Sequence, residues 1–254
     1  MATRFPLSLA FKRALEWPLE NWRSLLPATL LLGLVDAACF AGVLAAVNVD
    51  EAGVLQPRAE AGPLLLGALL IASIVGLAYG LGLYRRVLLG EHRPGLSLFV
   101  LDRRLLRAIG VGARMCGIGF TLVLASALLS RLVGIPAFLP TLVLFAYLAL
   151  IVPRFRLAFA AAALDEPNPT LGEAWRRTRG AAVNVVVGVV SIYLVLTVAQ
   201  WIVALLPLLN EGVPAFLIAG LFAALQSCVS VVFLALAYDA LVRGGGPESH
   251  VSLH

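Results

Sequence analysis

PLLLGALLIASIVGLAYGLGL, residues Pro63–Leu83, runs without a charged side chain and is closed at once by Tyr84-Arg85-Arg86. A helix needs roughly 20 apolar residues to cross a hydrocarbon core of about 30 Å, so this stretch is long enough to span a bilayer and stop at its surface. Five others read alike: Leu25–Val47, Ala108–Ser130, Pro136–Val152, Val185–Leu206 and Pro214–Leu241. In lipid the backbone polar groups must satisfy one another, which makes these stretches helices. The fourth is the shortest and carries Pro140 in its first turns.

Composition agrees. Of 254 residues, 61% are hydrophobic and only 13% charged, and the mean hydropathy is +0.98; a water-soluble domain with these values would expose large apolar surface. Six crossings consume about half the chain. The expectation is therefore an all-α integral membrane protein, a single domain over 1–254, with little length left for a soluble catalytic unit.

The cations give the orientation. Arg4, Lys12, Arg13 and Arg23, then Arg85, Arg86, Arg93, Arg103, Arg104, Arg107 and Arg114, then Arg154, Arg156, Arg176, Arg177 and Arg179, and finally Arg243 all fall in alternate segments, whereas the other set holds only Arg58 and Arg131. By the positive-inside rule the first set faces the cytoplasm. Both termini are then cytoplasmic and the protein belongs to the inner, cytoplasmic membrane. The acidic Asp50, Glu51, Glu60 and Glu211 lie in the short outer loops. The net charge of +5 follows from this topology and from contact with anionic headgroups, with no nucleic-acid partner implied. The first apolar run is too long for a signal-peptide core, and Asp36 stands three places before Cys39, against a lipoprotein cleavage site; a retained N-terminus is expected.

Each inner segment shows helical periodicity before its membrane helix begins. Leu7, Ala10, Phe11, Ala14 and Leu15 form one apolar stripe with Ser8, Lys12, Arg13 and Glu16 opposite, the pattern of an interfacial amphipathic helix. The same reading predicts helices over Ser97–Arg107 and Thr170–Arg179, the latter opened by the capping box Thr170-Leu171-Gly172-Glu173. Three such helices introduce three hairpins. The recurrence looks like a repeat in units 5–93, 94–166 and 167–243: Pro6-Leu7-Ser8, Pro94-Gly95-Leu96-Ser97 and Pro167-Asn168-Pro169-Thr170 open the units, and the second span of each leads to Gly90-Glu91, Asp165-Glu166 or Gly246-Pro247-Glu248. Copies of a two-helix unit keep one orientation, unlike the inverted repeats of many transporters.

Arg154-Phe155-Arg156-Leu157-Ala158-Phe159, Asp165-Glu166 and Leu171-Gly172-Glu173-Ala174-Trp175-Arg176-Arg177-Thr178-Arg179-Gly180, together with Ala10-Phe11-Lys12-Arg13-Ala14-Leu15 and Asn21-Trp22-Arg23-Ser24-Leu25-Leu26, resemble the glycerophosphoryl diester phosphodiesterase membrane-domain family and related bacterial multi-pass membrane proteins. The resemblance covers the chain in layout through short motifs. It departs at Trp175-Arg176-Arg177-Thr178, where the family tends to Arg-Ser-Trp-Lys, and no phosphodiesterase barrel lies in these 254 residues. What it implies is fold and topology, with no enzymatic activity.

Candidate sites are few. Asp36 falls near the midplane of the first span, where a carboxylate costs a few kcal/mol and is paired, protonated or turned to a cavity. Two uses fit: a proton or substrate contact, or a hydrogen-bonded acid facing Gln200, Gln226 or a serine. Gln200, Gln226, Ser227, Ser230, Ser126 and Ser130 line a polar path or stitch helices together. Ala72, Gly76 and Gly80 make a small-residue ridge suited to close packing. Arg103, Arg104, Arg107, Arg176, Arg177 and Arg179 are candidate contacts for lipid phosphate, since the guanidinium fork matches its oxygens; headgroup anchoring alone also accounts for them. No nucleophile elbow, zinc-binding helix or phosphate loop occurs, and His92, His250 and His254 are too scattered for a triad or metal cage. Catalytic, cofactor and metal sites are all expected to be absent. The leading expectation is an accessory or scaffolding membrane protein that engages anionic lipid and a membrane-protein partner; the alternative is a permease-like subunit built around Asp36.

Overall fold

The computed structural model describes residues 6–49, 55–57, 62–92, 94–133, 138–166, 170–206 and 212–243. Arg4, Arg58, Arg93, Asp50, Glu51, Glu60, Glu211, the Pro167–Pro169 turn, residues 246–248, His250 and His254 lie outside them. Six helices are long and apolar enough to cross a membrane. They are α2 (Trp22–Ala45), α3 (Gly62–Leu89), α4 (Arg103–Val133), α5 (Leu139–Ala163), α7 (Ala182–Ala204) and α8 (Gly212–Tyr238). Two helices outside the spans, α1 (Leu7–Glu20) and α6 (Leu171–Arg177), sit with the arginine-rich segments. Apart from one short strand pair, this is an all-helical, multi-pass membrane protein. Between α2 and α3 the chain adds a two-stranded antiparallel ladder, Val47–Val49 against Leu55–Pro57, in register Asn48 with Gln56.

α8 is the pivot. It packs against α2, α7, α3 and α1, while α2 also touches α3, and α4 touches α5. Membrane helices gain nothing from exchanging lipid for leucine, so they associate where small residues let backbones approach. Gly220 of α8 is such a place: a Cβ there would lie 2.1 Å from the Gly33 carbonyl oxygen of α2. On α7, Gly188 leaves room for the ring of Phe233, which an added Cβ would meet at 2.1 Å.

Packing is uneven along the helices. In α3 every residue from Ala78 to Leu88 is buried, and in α8 the buried residues run unbroken from Cys228 to Asp239. Both stretches are the arginine-rich ends. Towards the opposite ends Leu66, Leu70 and Val213 are more than 60% exposed, as suits side chains solvated by lipid.

Three local structures depart from the periodicity. The segment over Ser97–Arg107 is not one helix: a single 3-10 turn, Gly95–Leu98, tucks against α2 and α3, extended residues follow, and α4 itself starts at Arg103. Asp102 caps that start by accepting the Arg104 N–H at 2.8 Å. The turn is held because Gly82 has no side chain, as a Cβ would sit 1.8 Å from the Leu98 carbonyl oxygen, and because the Val100 N–H donates to the Ala78 carbonyl of α3 at 3.1 Å. Second, α5 does not stop at Val152. It loosens into a π-helical turn over Tyr147–Ile151, just before Pro153, and continues through Arg154 and Arg156 to Ala163. Pro153 lacks an N–H and a widened turn absorbs that loss. Third, the Thr170–Arg179 helix is shortened to Leu171–Arg177, with the Thr170 hydroxyl accepting the Glu173 N–H at 3.2 Å, the first half of the expected box.

On α1 the apolar residues turn to the bundle. Ala10 and Ala14 are fully buried and Leu7, Phe11 and Leu15 pack on the core, chiefly against α8, with Ser8 and Lys12 exposed.

Candidate functional site

Arginines that the sequence assigns to topology become, in three cases, buried clamps. Arg85 of α3 pairs with Glu91 and donates from Nη1 to the Ala163 carbonyl at 3.0 Å, satisfying an orphan acceptor at the end of α5. Arg86 donates from Nη2 to Asn21 Oδ1 at 3.0 Å and to Ser24 Oγ at 2.6 Å, across the one-residue joint between α1 and α2, and lies over the Trp17 ring. Arg154 donates to Thr178 Oγ1 and to the Trp175 carbonyl, each at 2.9 Å, with its guanidinium 3.4 Å from the centroid of the Trp175 ring. Each ties a membrane helix to an arginine-side segment. Periodicity carries no trace of these partners, although the Trp17 and Trp175 rings near arginine-bearing helix ends are a usable signal.

The six candidate phosphate contacts divide into paired and unpaired. Arg104 and Arg107 both bridge to Asp165, and Arg104 also to Asp102 at 2.8 Å; Arg176 and Arg177 share Glu173. Arg103 and Arg179 have no ion pair among the described residues. Asp165 adopts φ +59°, a left-handed conformation that Asp tolerates, and ends α5 as glycine commonly would; the Glu166 N–H returns to the Ala161 carbonyl at 3.1 Å. Gly90, at φ +66°, ends α3 with the same conformation, and each is followed by a glutamate. The hydrogen bond from Arg104, reinforced by its charge and that of Arg107, holds the Asp165 carboxyl below the usual carboxylate range.

The intramembrane candidates are not brought together. Gln226 donates to Thr197 Oγ1 at 3.1 Å, joining α8 to α7, and Ser126 bonds to the Val123 carbonyl of its own helix. Asp36 is half-buried on α2 beside the Gly33–Gly220 crossing, and no hydrogen bond joins it to Gln200 or Gln226. Ser230 Oγ is buried on α8. The Thr29 hydroxyl of α2 meets the Tyr79 hydroxyl of α3 at 2.8 Å, a polar contact in the core that sequence reading missed.

A cleft of ≈ 460 Å³ opens between α3 and α8 on one side and α4 and α5 on the other. Ala72, Gly76 and Gly80, the predicted packing ridge, form one wall, and Gly112 faces them from α4. The ridge borders open space at Gly76, where a Cβ would meet no atom within 4 Å, whereas at Gly80 a Cβ would lie 3.7 Å from Val231 of α8. Arg156 reaches the same cleft from α5. A much smaller pocket, ≈ 40 Å³, lies beside Glu166, Glu173, Arg177 and the unpartnered Tyr238 hydroxyl, and is of a size for water. Among the described residues no group of three or more His, Cys, Asp or Glu side chains is placed to hold a metal ion. Comparison with protein-family models, with curated proteins and with solved structures returns no match.

Proposed function

We propose that this is a multi-pass protein of the cytoplasmic membrane, with both termini inside, whose arginine-rich end engages anionic lipid and a membrane-protein partner in an accessory or scaffolding role. The spans form three hairpins, and α1 and α6 lie along the interface as amphipathic elements. One observation carries the reading. Leu19, Trp22, Leu96, Leu101, Leu106 and Trp175 are exposed beside Arg23, Arg103, Arg107, Arg176 and Arg179, all at the end of the bundle where the cations collect. Apolar and aromatic side chains interleaved with guanidinium groups suit the boundary between acyl chains and phosphates. The likeness to the phosphodiesterase membrane-domain family supports the same layout, and no catalytic role is proposed.

The test is lipid selection. Protein reconstituted into nanodiscs of mixed phosphatidylglycerol and phosphatidylcholine should enrich the anionic lipid around it, and Arg103→Gln with Arg179→Gln should reduce that enrichment. Equal recruitment of both lipids by the wild type would overturn the reading.

A second reading rests on Asp36, which has no hydrogen-bonding or ionic partner among the described residues. An unpaired acid in a span fits a proton or substrate contact in a permease-like subunit. Proton flux into proteoliposomes that is abolished in Asp36→Asn would favour it; no flux in the wild type would remove it.

A further inference from the structure

We infer that the cleft between α3, α8, α4 and α5 holds one anionic phospholipid, its phosphate on Arg156 and an acyl chain along the Ala72, Gly76 and Gly80 wall; this deepens, and rests on, the lipid-engaging reading above. Arg156 differs from the other arginines of the spans that are buried or half-buried; Arg103, Arg114 and Arg131, which likewise have no ion pair among the described residues, are exposed. Arg85, Arg104, Arg107 and Arg243 each pair with a carboxylate, and Arg86 and Arg154 are held by Asn, Ser, Thr or backbone oxygens and a Trp ring. Among the described residues Arg156 donates to the Tyr193 hydroxyl, at 3.3 Å, and no acidic side chain pairs with it. A guanidinium carries five N–H donors and one persistent positive charge. Inside a membrane span such a charge requires a counter-ion or water.

The cleft supplies the rest of an amphiphile's shape. Of its lining, Tyr79, Gly80, Tyr84 and Val231 are buried, while Ser73 and Cys116, further from the arginine-rich side, are exposed. Arg156 lies towards the arginine-rich side: the Tyr84 hydroxyl donates to its carbonyl at 3.4 Å. A lipid from that leaflet therefore enters with its head at the cation and its chain directed to the midplane. Gly76 leaves the path open, since an added Cβ there would meet no atom within 4 Å, while Gly80 and Gly112 line it with Cβ positions 3.7 Å from Val231 and 3.9 Å from Phe159.

Native mass spectrometry of the full chain, released from detergent with phosphatidylglycerol, phosphatidylcholine or palmitate, tests this. The wild type should retain one phosphatidylglycerol after looser lipid is stripped. Arg156→Gln should lower its occupancy about tenfold, the loss expected of one charge-assisted contact, and Arg156→Lys should keep it. Gly76→Leu, which leaves the cation in place and has room for its Cβ, should lower occupancy likewise while the thermal melt stays that of the wild type. If Arg103→Gln with Arg179→Gln leaves lipid enrichment unaltered but Arg156→Gln still removes the tight lipid, the broader reading falls and the cleft stands. Unchanged retention in both Arg156→Gln and Gly76→Leu, or retention of phosphatidylcholine or palmitate as firmly as phosphatidylglycerol, overturns the inference.

Discussion

The two ends of the bundle are built differently. At the arginine-rich end α3 and α8 are buried on every side over about three turns, and Arg85, Arg86 and Arg154 stitch helices to connecting segments. Towards the other end Leu66, Leu70 and Val213 face outward and small residues such as Gly42 and Gly67 have no neighbour within 4 Å of an added Cβ. Apolar exposure on that scale would be a liability in water and is natural in lipid. Cohesion therefore rests on close backbone contact and polar bonds, which are concentrated where the cations are. Arginines that the sequence assigns to topology also hold the bundle together.

The largest expected contrast is between two glycines of α3. Gly82→Ala drives a methyl into the Leu98 carbonyl and should displace the Gly95–Leu98 turn, lowering thermal stability by at least about 1–3 kcal/mol, the range for overpacking. Gly67→Ala meets open space and should be neutral or stabilising by up to about 1 kcal/mol through helix propensity. Melting curves of both variants in one detergent check this; equal destabilisation would erase the distinction between the ends. Of comparable size, Arg154→Ala removes bonds to Thr178 and Trp175 and the stacked ring, and should cost about 2–4 kcal/mol. Arg131→Ala, at the opposite end of α4 and exposed, should cost less than about 0.5 kcal/mol.

The smallest effect is a pH dependence. Because Arg104 and Arg107 depress the Asp165 carboxyl in the folded protein, the stabilisation is fully present above the ordinary carboxylate range and disappears as pH falls through the depressed value. The pairs are solvent-exposed, so the step should be under about 1 kcal/mol. Asp165→Asn keeps a side chain tolerant of the left-handed backbone and should abolish the acid step alone. A melt that remains as acid-sensitive as the wild type would assign the step to other groups.

Much of this was legible in the chain. The six spans follow from apolar length, and the α1 stripe from spacing at Leu7, Ala10, Phe11, Ala14 and Leu15. Legibility failed where tertiary partners outweigh local pattern. Pro153 and Arg154 read as the end of a span, yet the π-helical turn before them and the internal partners of Arg154 let α5 run on to Ala163. Ser97–Arg107 has helical periodicity, but Gly82 and the Ala78 carbonyl capture the chain around Leu98 and Val100; Asp102, a natural N-cap, marked the true start at Arg103. Of the ridge Ala72, Gly76 and Gly80, Gly80 is buried beside Val231 of α8 whereas Gly76 borders a cleft, because spacing alone does not say whether a neighbour closes over small residues. Arg156 carried no sequence signal separating it from its topological neighbours.

Whether the cohesive, arginine-rich end is the cytoplasmic one is settled most directly by paired reporters. Alkaline phosphatase and a fluorescent protein are fused, in separate strains, after Asn48 and after Arg243. Phosphatase should be active only at Asn48 and fluorescence should appear only after Arg243. Identical behaviour at the two positions, or the reverse pattern, would contradict the account.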